Sequence, residues 1–303
     1  MLKNQKILLT GASGQIALPL GQFLATDNEV WAVARFSEPG SRARCEQAGM
    51  VTRSIDLASG DFGDLPQDFD YVLHLAVFQL AGQDYDHALQ VNAEGTALLM
   101  AHCRGAKACL VMSTCAVYAL NPDPRHAFRE EDPLGDSRQP YSPTYAISKI
   151  AQEAVARSCA RLYALPTTIA RMNVSYSSNG GLPAYHLDTI MRGEEIVLPP
   201  GGEAWYTCIH QDDINRQVEA LLTAASVPAT IVNWSGDEPV DVRSWCQYLG
   251  ELAGRKPVFR EDDSPSIPSR VTDNRRRLEL VGPCRVSWRE GFAAMARERY
   301  PGL

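Results

Sequence analysis

A doubly wound parallel α/β sheet of the Rossmann type, carrying a smaller C-terminal lobe, is the fold this sequence predicts. Three observations predict it. Short, almost wholly apolar runs recur through the first half, as strands do when helices cover both faces of a parallel sheet. Helical patterns alternate with those runs, the order expected of βαβ units. A glycine turn, "TGASGQIA", stands between the first apolar run and the first helical stretch.

The elements follow in order. "KILLT" (6–10) is a strand, and a helix spans 14–26. "EVWAVAR" (29–35) is the second strand, followed by a polar helix near 40–48 and a short third strand ending before Asp56. "YVLHLAV" (71–77) is the fourth strand, with a long helix over about 86–104. "ACLVMST" (108–114) is the fifth, then a helix over 145–163 and the strand "TTIARMN" (167–173). From 174 to 204 the chain is rich in Ser, Gly and Pro around one helix (184–192). "IHQDDINRQVEALLTAA" predicts a capped helix with Asp212 or Asp213 near its start. "TIVNWSG" (230–236) adds a strand. Helices over 243–253 and 288–299 flank a Pro- and Asp-rich piece, 262–270. The pattern divides the chain into residues 1–173 with 205–236 and a smaller lobe of 174–204 with 237–303.

The 303 residues suffice for a large core, and 45% hydrophobic with 21% charged residues is an ordinary globular composition. A net charge of −7 implies no basic face and argues against a nucleic-acid partner. Arg275–Arg277 is too short a cluster to change this. The N-terminus lacks a signal-peptide pattern, and no run approaches the ~20 apolar residues of a membrane span. Eight scattered cysteines form no CxxC and no zinc spacing, so no metal is expected and a reducing cytoplasm is.

The glycine turn has the strand–turn–helix context that suits a dinucleotide. Gly11 permits the tight turn, Gly14 allows backbone approach to a pyrophosphate, and the helix start supplies unpaired N–H groups. Ala17 keeps the third position small. At the end of the second strand stands Arg35, where an acid would suit the ribose hydroxyls of NAD. An arginine pairs with a 2′-phosphate, favouring NADP; the alternative is that it stacks on adenine, which NAD also permits. Ser37, Ser41 and Arg42 are further donors for that phosphate. Asp56 either contacts the adenine or is a surface acid.

In "YSPTYAISK", Tyr145 and Lys149 are four apart and share a helix face. They are either an ordinary helix pair or a proton-transfer device. The second reading needs the phenol, normally near pKa ~10, to be made more acidic by an ammonium and an oxidised nicotinamide. Ser113 and Thr114 close the fifth strand, the sheet edge where α/β ligands bind.

With these motifs in place, the sequence resembles the extended short-chain dehydrogenase/reductase family, the NAD(P)-dependent epimerase/dehydratase group. "TGASGQIA", Asp56, "HLAV", "VNAEGT", "STCAVY", "YAISK", "RMN" and "IHQDD" occur in the family's order over roughly 5–215. The resemblance implies Thr114, Tyr145 and Lys149 as catalytic residues. It implies a dinucleotide site of Gly11, Ser13, Gly14, Gln15, Ile16, Arg35, Asp56, Leu57, Leu75, Ala76 and Val77, with His74 either lining it or serving as a satisfied core histidine, and Asn92 either helping to position the cofactor or bridging strand and helix. Cys115, Asn173, Tyr176 and Tyr206 fall at the substrate end, with Trp205 beside them. Dimerisation through the helices at 86–104 and 144–163 is a further implication.

Dehydratases of the group carry an Asp–Glu pair after the catalytic Thr; here Cys115 and Ala116 stand there, which disfavours dehydration. Sugar-nucleotide epimerases place an arginine ahead of "IHxxD"; here it is Tyr206, with Arg270 as another candidate phosphate contact. Trp205, Tyr206 and Tyr176 suggest either a pocket lined by rings, suited to a less polar substrate, or plain core packing. The expectation is therefore an NADP(H)-dependent alcohol dehydrogenase or carbonyl reductase acting on a small molecule. The alternative is a nucleotide-sugar epimerase with tightly held NAD(P).

Overall fold

The computed structural model describes residues 2–135, 139–264 and 266–303; residue 265 of the expected linker lies outside them. Among the described residues, seven parallel strands form one sheet. They are β1 (Lys6–Thr10), β2 (Glu29–Ala34), β3 (Val51–Ser54), β4 (Tyr71–His74), β5 (Ala108–Thr114), and the strands Thr167–Met172 and Thr230–Trp234. From one edge the order is Thr230–Trp234, Thr167–Met172, β5, β4, β1, β2, β3. The strand order reverses beside β1, between β2 and β4, so a crevice opens beyond the C-terminal ends of the strands.

β1 shows why these strands read as continuous apolar runs. Ile7 and Leu9 face one core with Leu20 of helix α1 (Ala17–Leu24) and Val218 of the helix Gln211–Thr223. Leu8 faces the other core with Leu99 and with Ala156 of the helix Tyr145–Leu162. Both faces are dry, so alternation is lost. A third core joins Tyr176, Leu187, Tyr206, Cys208, Trp245 and Phe292 in the C-terminal segments.

One expected element differs. The long helix at 86–104 is a helix Tyr85–Leu89, a π-helical turn Gln90–Glu94 and a helix Gly95–His102. The extra residue of a π turn re-aims side chains; Asn92 lies in it. The expected capped helix spans Gln211–Thr223 with Asp212 and Asp213 in its first turn, and its cap is His210, whose Nδ1 accepts from Asp212 N at 3.2 Å. Asp213 accepts from the backbone N–H groups of Arg285 and Val286. No described helix is long and apolar enough to cross a membrane. All eight cysteines are free, and all but Cys284 are buried.

Candidate active site

A cleft of about 830 Å³ runs across the C-terminal ends of the strands. Gly11, Ser13, Gly14, Gln15 and Ile16 form its floor at one end. Gly11 has φ +68°, and a Cβ there would come within 2.7 Å of Ala76 Cα, so only glycine fits this crossing. Gly14 N donates to Gly11 O at 2.8 Å and closes the turn. Thr10 Oγ1 accepts from Ala76 N at 3.1 Å, which ties β1 to the residues after β4. Leu75, Ala76 and Val77 line the next stretch, with Asp56 and Leu57 across from them. Asp56 caps a short 3-10 turn by accepting from Ala58 N at 3.0 Å. Arg35 is exposed at the end of β2 and lines the cleft with Ser37. Ser41 and Arg42 do not line it: Ser41 donates to Glu38 O, and Arg42 Nε reaches Glu46 and Thr52 at 3.0 and 2.9 Å.

Thr114, Tyr145 and Lys149 meet at the middle of the cleft. Tyr145 opens the helix Tyr145–Leu162, and Lys149 sits one turn on, nearly fully buried. The Thr114 hydroxyl hydrogen-bonds the Tyr145 phenol and accepts from Ala116 N at 3.1 Å. Lys149 Nζ donates to Met112 O at 2.6 Å. Burial, with Tyr141 adding to it, pushes the Tyr145 phenol above its ordinary value, and the Thr114 bond opposes the rise only in part. Burial also brings the Lys149 ammonium down to about 7, against the pull of Glu153. Desolvation penalises each charged form more than its neighbours stabilise it.

Glu153 is a feature that the sequence motifs did not single out. It pairs bidentately with buried Arg171 at 2.9 and 2.7 Å, and Ser113 Oγ donates to it at 2.5 Å. Ser113 is thus a brace for the strand end that presents Thr114. The available signal was one more acid four residues after Lys149, on the same helix face.

His74 and Asn92 stand behind the cleft rather than in its lining. His74 is fully buried between Thr10 and Thr96, with both ring nitrogens 2.7 Å from a hydroxyl. Desolvation, aided by the Lys149 charge, holds it down to about 3, so it is a neutral bracket and not a wall of the site. Asn92 clasps Phe78 N and O and donates to Ser148 Oγ at 2.9 Å; Ser148 in turn donates to Tyr145 O.

The end of the cleft expected to take a substrate is lined by Cys115, Ala116, Tyr141, Asn173, Tyr206 and Arg270, among others. Tyr206 OH donates to Ile267 O at 2.7 Å, and Asn173 Nδ2 donates to Arg270 O at 2.8 Å. Arg270 is buried, with Nε on Cys115 O at 3.0 Å and a terminal nitrogen on Tyr118 O at 3.1 Å. Two expected ring walls are elsewhere. Tyr176 is 1% exposed and packs edge-on against Phe292 in the third core, because its short strand pairs with Ile209–His210 and turns the ring inward. Trp205 lies under the Arg125 guanidinium, 4.5 Å away, outside the cleft. Tyr185 and Leu182 line the cleft although no motif marked them.

The residues fit a dinucleotide: the side-chain-free crossing at Gly11 leaves the helix start open to a pyrophosphate, and the cleft continues to Tyr145 and Lys149. Solved structures share the fold across nearly the whole chain. UDP-glucuronic acid 4-epimerase from Bacillus cereus, in complex with UDP-glucuronic acid and NAD, superposes with a TM-score of 0.81 at 21% identity, covering 96% of this chain and 98% of that one. UDP-N-acetylglucosamine 4-epimerase from Methanobrevibacter ruminantium gives 0.83 at 19% identity, covering 98% of each chain. UDP-glucose 4-epimerase from Thermotoga maritima gives 0.81 at 20%, covering 96% and 97%. No curated protein sequence matches. The profile of the NAD dependent epimerase/dehydratase family matches residues 7–233, and the chain belongs to that family.

Proposed function

We propose that this protein moves a hydride between nicotinamide C4 and a substrate carbinol carbon, with Tyr145 as acid and base, and that the net reaction is epimerisation of a nucleotide sugar on a retained dinucleotide. The observation that carries the hydride-transfer core is the meeting of Thr114, Tyr145 and Lys149 in the cleft that begins at Gly11. The nucleotide-sugar epimerases among the solved structures of this fold support the net reaction.

A dinucleotide held by the Gly11–Ile16 turn would supply the hydride acceptor and donor and, when oxidised, a positively charged ring. As the phenolate, Tyr145 would take the hydroxyl proton of a carbinol whose carbon gives up hydride, leaving a ketone and a neutral phenol. The neutral phenol would return that proton to the ketone oxygen on reduction from the opposite face, so the proton and hydride given up and taken back would sum to inversion without net redox change. Thr114 holds the substrate oxygen against the phenol. Lys149 sits near its titration point at neutral pH, where its ammonium form favours the phenolate. Arg35 at the end of β2 supports NADP as the dinucleotide, with NAD as the alternative. Exposed Leu98 and Ile147, on the helices Gly95–His102 and Tyr145–Leu162, support a homodimer across those helices, which light scattering tests.

The test is to incubate the purified protein with UDP-glucose and UDP-glucuronic acid. Interconversion of C4 epimers with dinucleotide still bound and none consumed supports the proposal. A second reading, an alcohol dehydrogenase or carbonyl reductase with exchanging NADP(H), is favoured by Tyr206 at the place where the epimerases carry an arginine. Stoichiometric NADPH oxidation by a ketone, with UDP-sugars inert, would select it.

A further inference from the structure

We infer that the segment Ser175–Leu182 is a strap that holds the glycine turn, and through it the dinucleotide, and that Asn179 is its positioning residue. The inference rests on the proposed dinucleotide site and adds how release from it is controlled.

The geometry is a bridge between two distant parts of the chain. Asn179 Nδ2 donates to Gln15 O at 2.8 Å, and the Gln15 amide points back to Ser175 O and Oγ at 3.5 and 3.4 Å. Gln211 Nε2 donates to Ile16 O at 3.2 Å, so consecutive carbonyls of the turn are tied from outside the βαβ unit. The strap is itself built to stay in shape. Ser177 and Gly180 exchange backbone hydrogen bonds at 3.0 and 3.1 Å, and Asn179 N donates to Ser177 Oγ at 3.1 Å. Gly181 has φ +106°, and a Cβ there would fall 2.2 Å from Ser175 O, so the return of the strap is open to glycine alone.

Its outer side is anchored. Arg299 donates to Ser178 O at 2.6 Å while gripping Asp188 through two bonds of 2.7 and 2.6 Å. Tyr300 OH adds a bond to Asp188 at 2.8 Å. Gln15, Gly181, Leu182 and Tyr185 all line the cleft. The cross-cleft contacts near the turn are two side-chain amide bonds and a pair of long ones, few enough to open. A dinucleotide lying on the Gly11–Ile16 turn is therefore flanked by the strap, and its departure requires the Asn179 bridge to break. An enzyme that regenerates its dinucleotide within each turnover benefits from such retention, whereas one that exchanges it does not.

The experiment measures dissociation of NADH and NADPH from the full-length protein by stopped-flow displacement with excess unlabelled NAD or NADP, following nicotinamide fluorescence. Asn179→Asp replaces the donor by a carboxylate facing a carbonyl; Arg299→Gln removes the anchor far from the cleft. Each is expected to raise the dissociation rate roughly fivefold, the worth of about one hydrogen bond, with the effect in dissociation rather than association. Melting of the dinucleotide-free Asn179→Asp protein should match the wild type. Unchanged dissociation rates in both variants would overturn the strap while leaving the hydride-transfer reading intact. Failure of the wild type to bind either dinucleotide would overturn both.

Discussion

The two ends of the cleft are built by different means. The dinucleotide end is made of backbone: a turn that only glycine can take at Gly11, a helix start, and the strand end at Ala76 packed onto it. The end proposed for the substrate is made of side chains from four distant segments, with Asn173 bonded to Arg270 O, Tyr206 to Ile267 O and Arg270 to Cys115 O. A backbone site is tied to local sequence, because glycine placement and strand–helix order determine it. A side-chain site depends on where each short element is pinned. That contrast predicts that variants at the first end change dinucleotide binding, whereas variants at the second leave it alone and change the substrate.

The largest expected effect breaks the chemistry between the two ends. Tyr145→Phe removes the proton carrier and should lower turnover by about 10²–10⁴-fold, with dinucleotide affinity within about twofold of wild type by calorimetry, since a neutral hydroxyl contact is worth little. Next is the brace beneath Thr114. Arg171→Met leaves the Glu153 carboxylate buried without its partner and should cost about 3–5 kcal/mol in chemical denaturation; the wild-type value would show that the pair is dispensable. Gly11→Ala forces a Cβ against Ala76 and should weaken dinucleotide binding by about 10–100-fold, the equivalent of roughly 1–3 kcal/mol of strain. Arg35→Asp should shift preference from NADP towards NAD, and an unchanged ratio of affinities would remove Arg35 from the site. At the substrate end, Tyr206→Phe loses one bond to Ile267 O and should cost about 1 kcal/mol in stability without altering dinucleotide affinity.

A pH experiment sharpens the comparison from the middle of the cleft. Lys149 has a folded-state pKa lowered from 10.5 to about 7. Its neutral form is favoured in the fold, so its contribution to stability is present above 10.5 and declines as pH falls towards 7. Melting of the dinucleotide-free wild type should show that decline, and Lys149→Met should lack it. Equal slopes in the two proteins would place the ammonium in a wetter environment.

How much of this was legible in the sequence follows the same division. β1 and β5 begin and end where their apolar runs do, because both faces of each strand are dry. The glycine turn, Thr114, Tyr145 and Lys149 could be read because their spacing along one strand end or one helix determines their direction. Tyr176 could not, since a two-residue strand paired with Ile209–His210 decides which way its ring points. For His74 the sequence leaves a cleft wall and a core histidine open, and the structure selects the core reading, because Thr10 and Thr96 lie on either side of it only once β1, β4 and the following helix are packed. The π-helical turn around Asn92 left no mark in the periodicity, and the Asn179 bridge joins residues 164 positions apart.

The most direct test follows the near-ultraviolet absorbance of reduced nicotinamide while the dinucleotide-loaded protein meets one equivalent of UDP-sugar or of a small alcohol. The wild type should show a transient or lasting gain of reduced dinucleotide with at least one of them, and Tyr145→Phe, equally loaded, should show none. A Tyr145→Phe protein that reduces its dinucleotide as fast as the wild type would contradict the account.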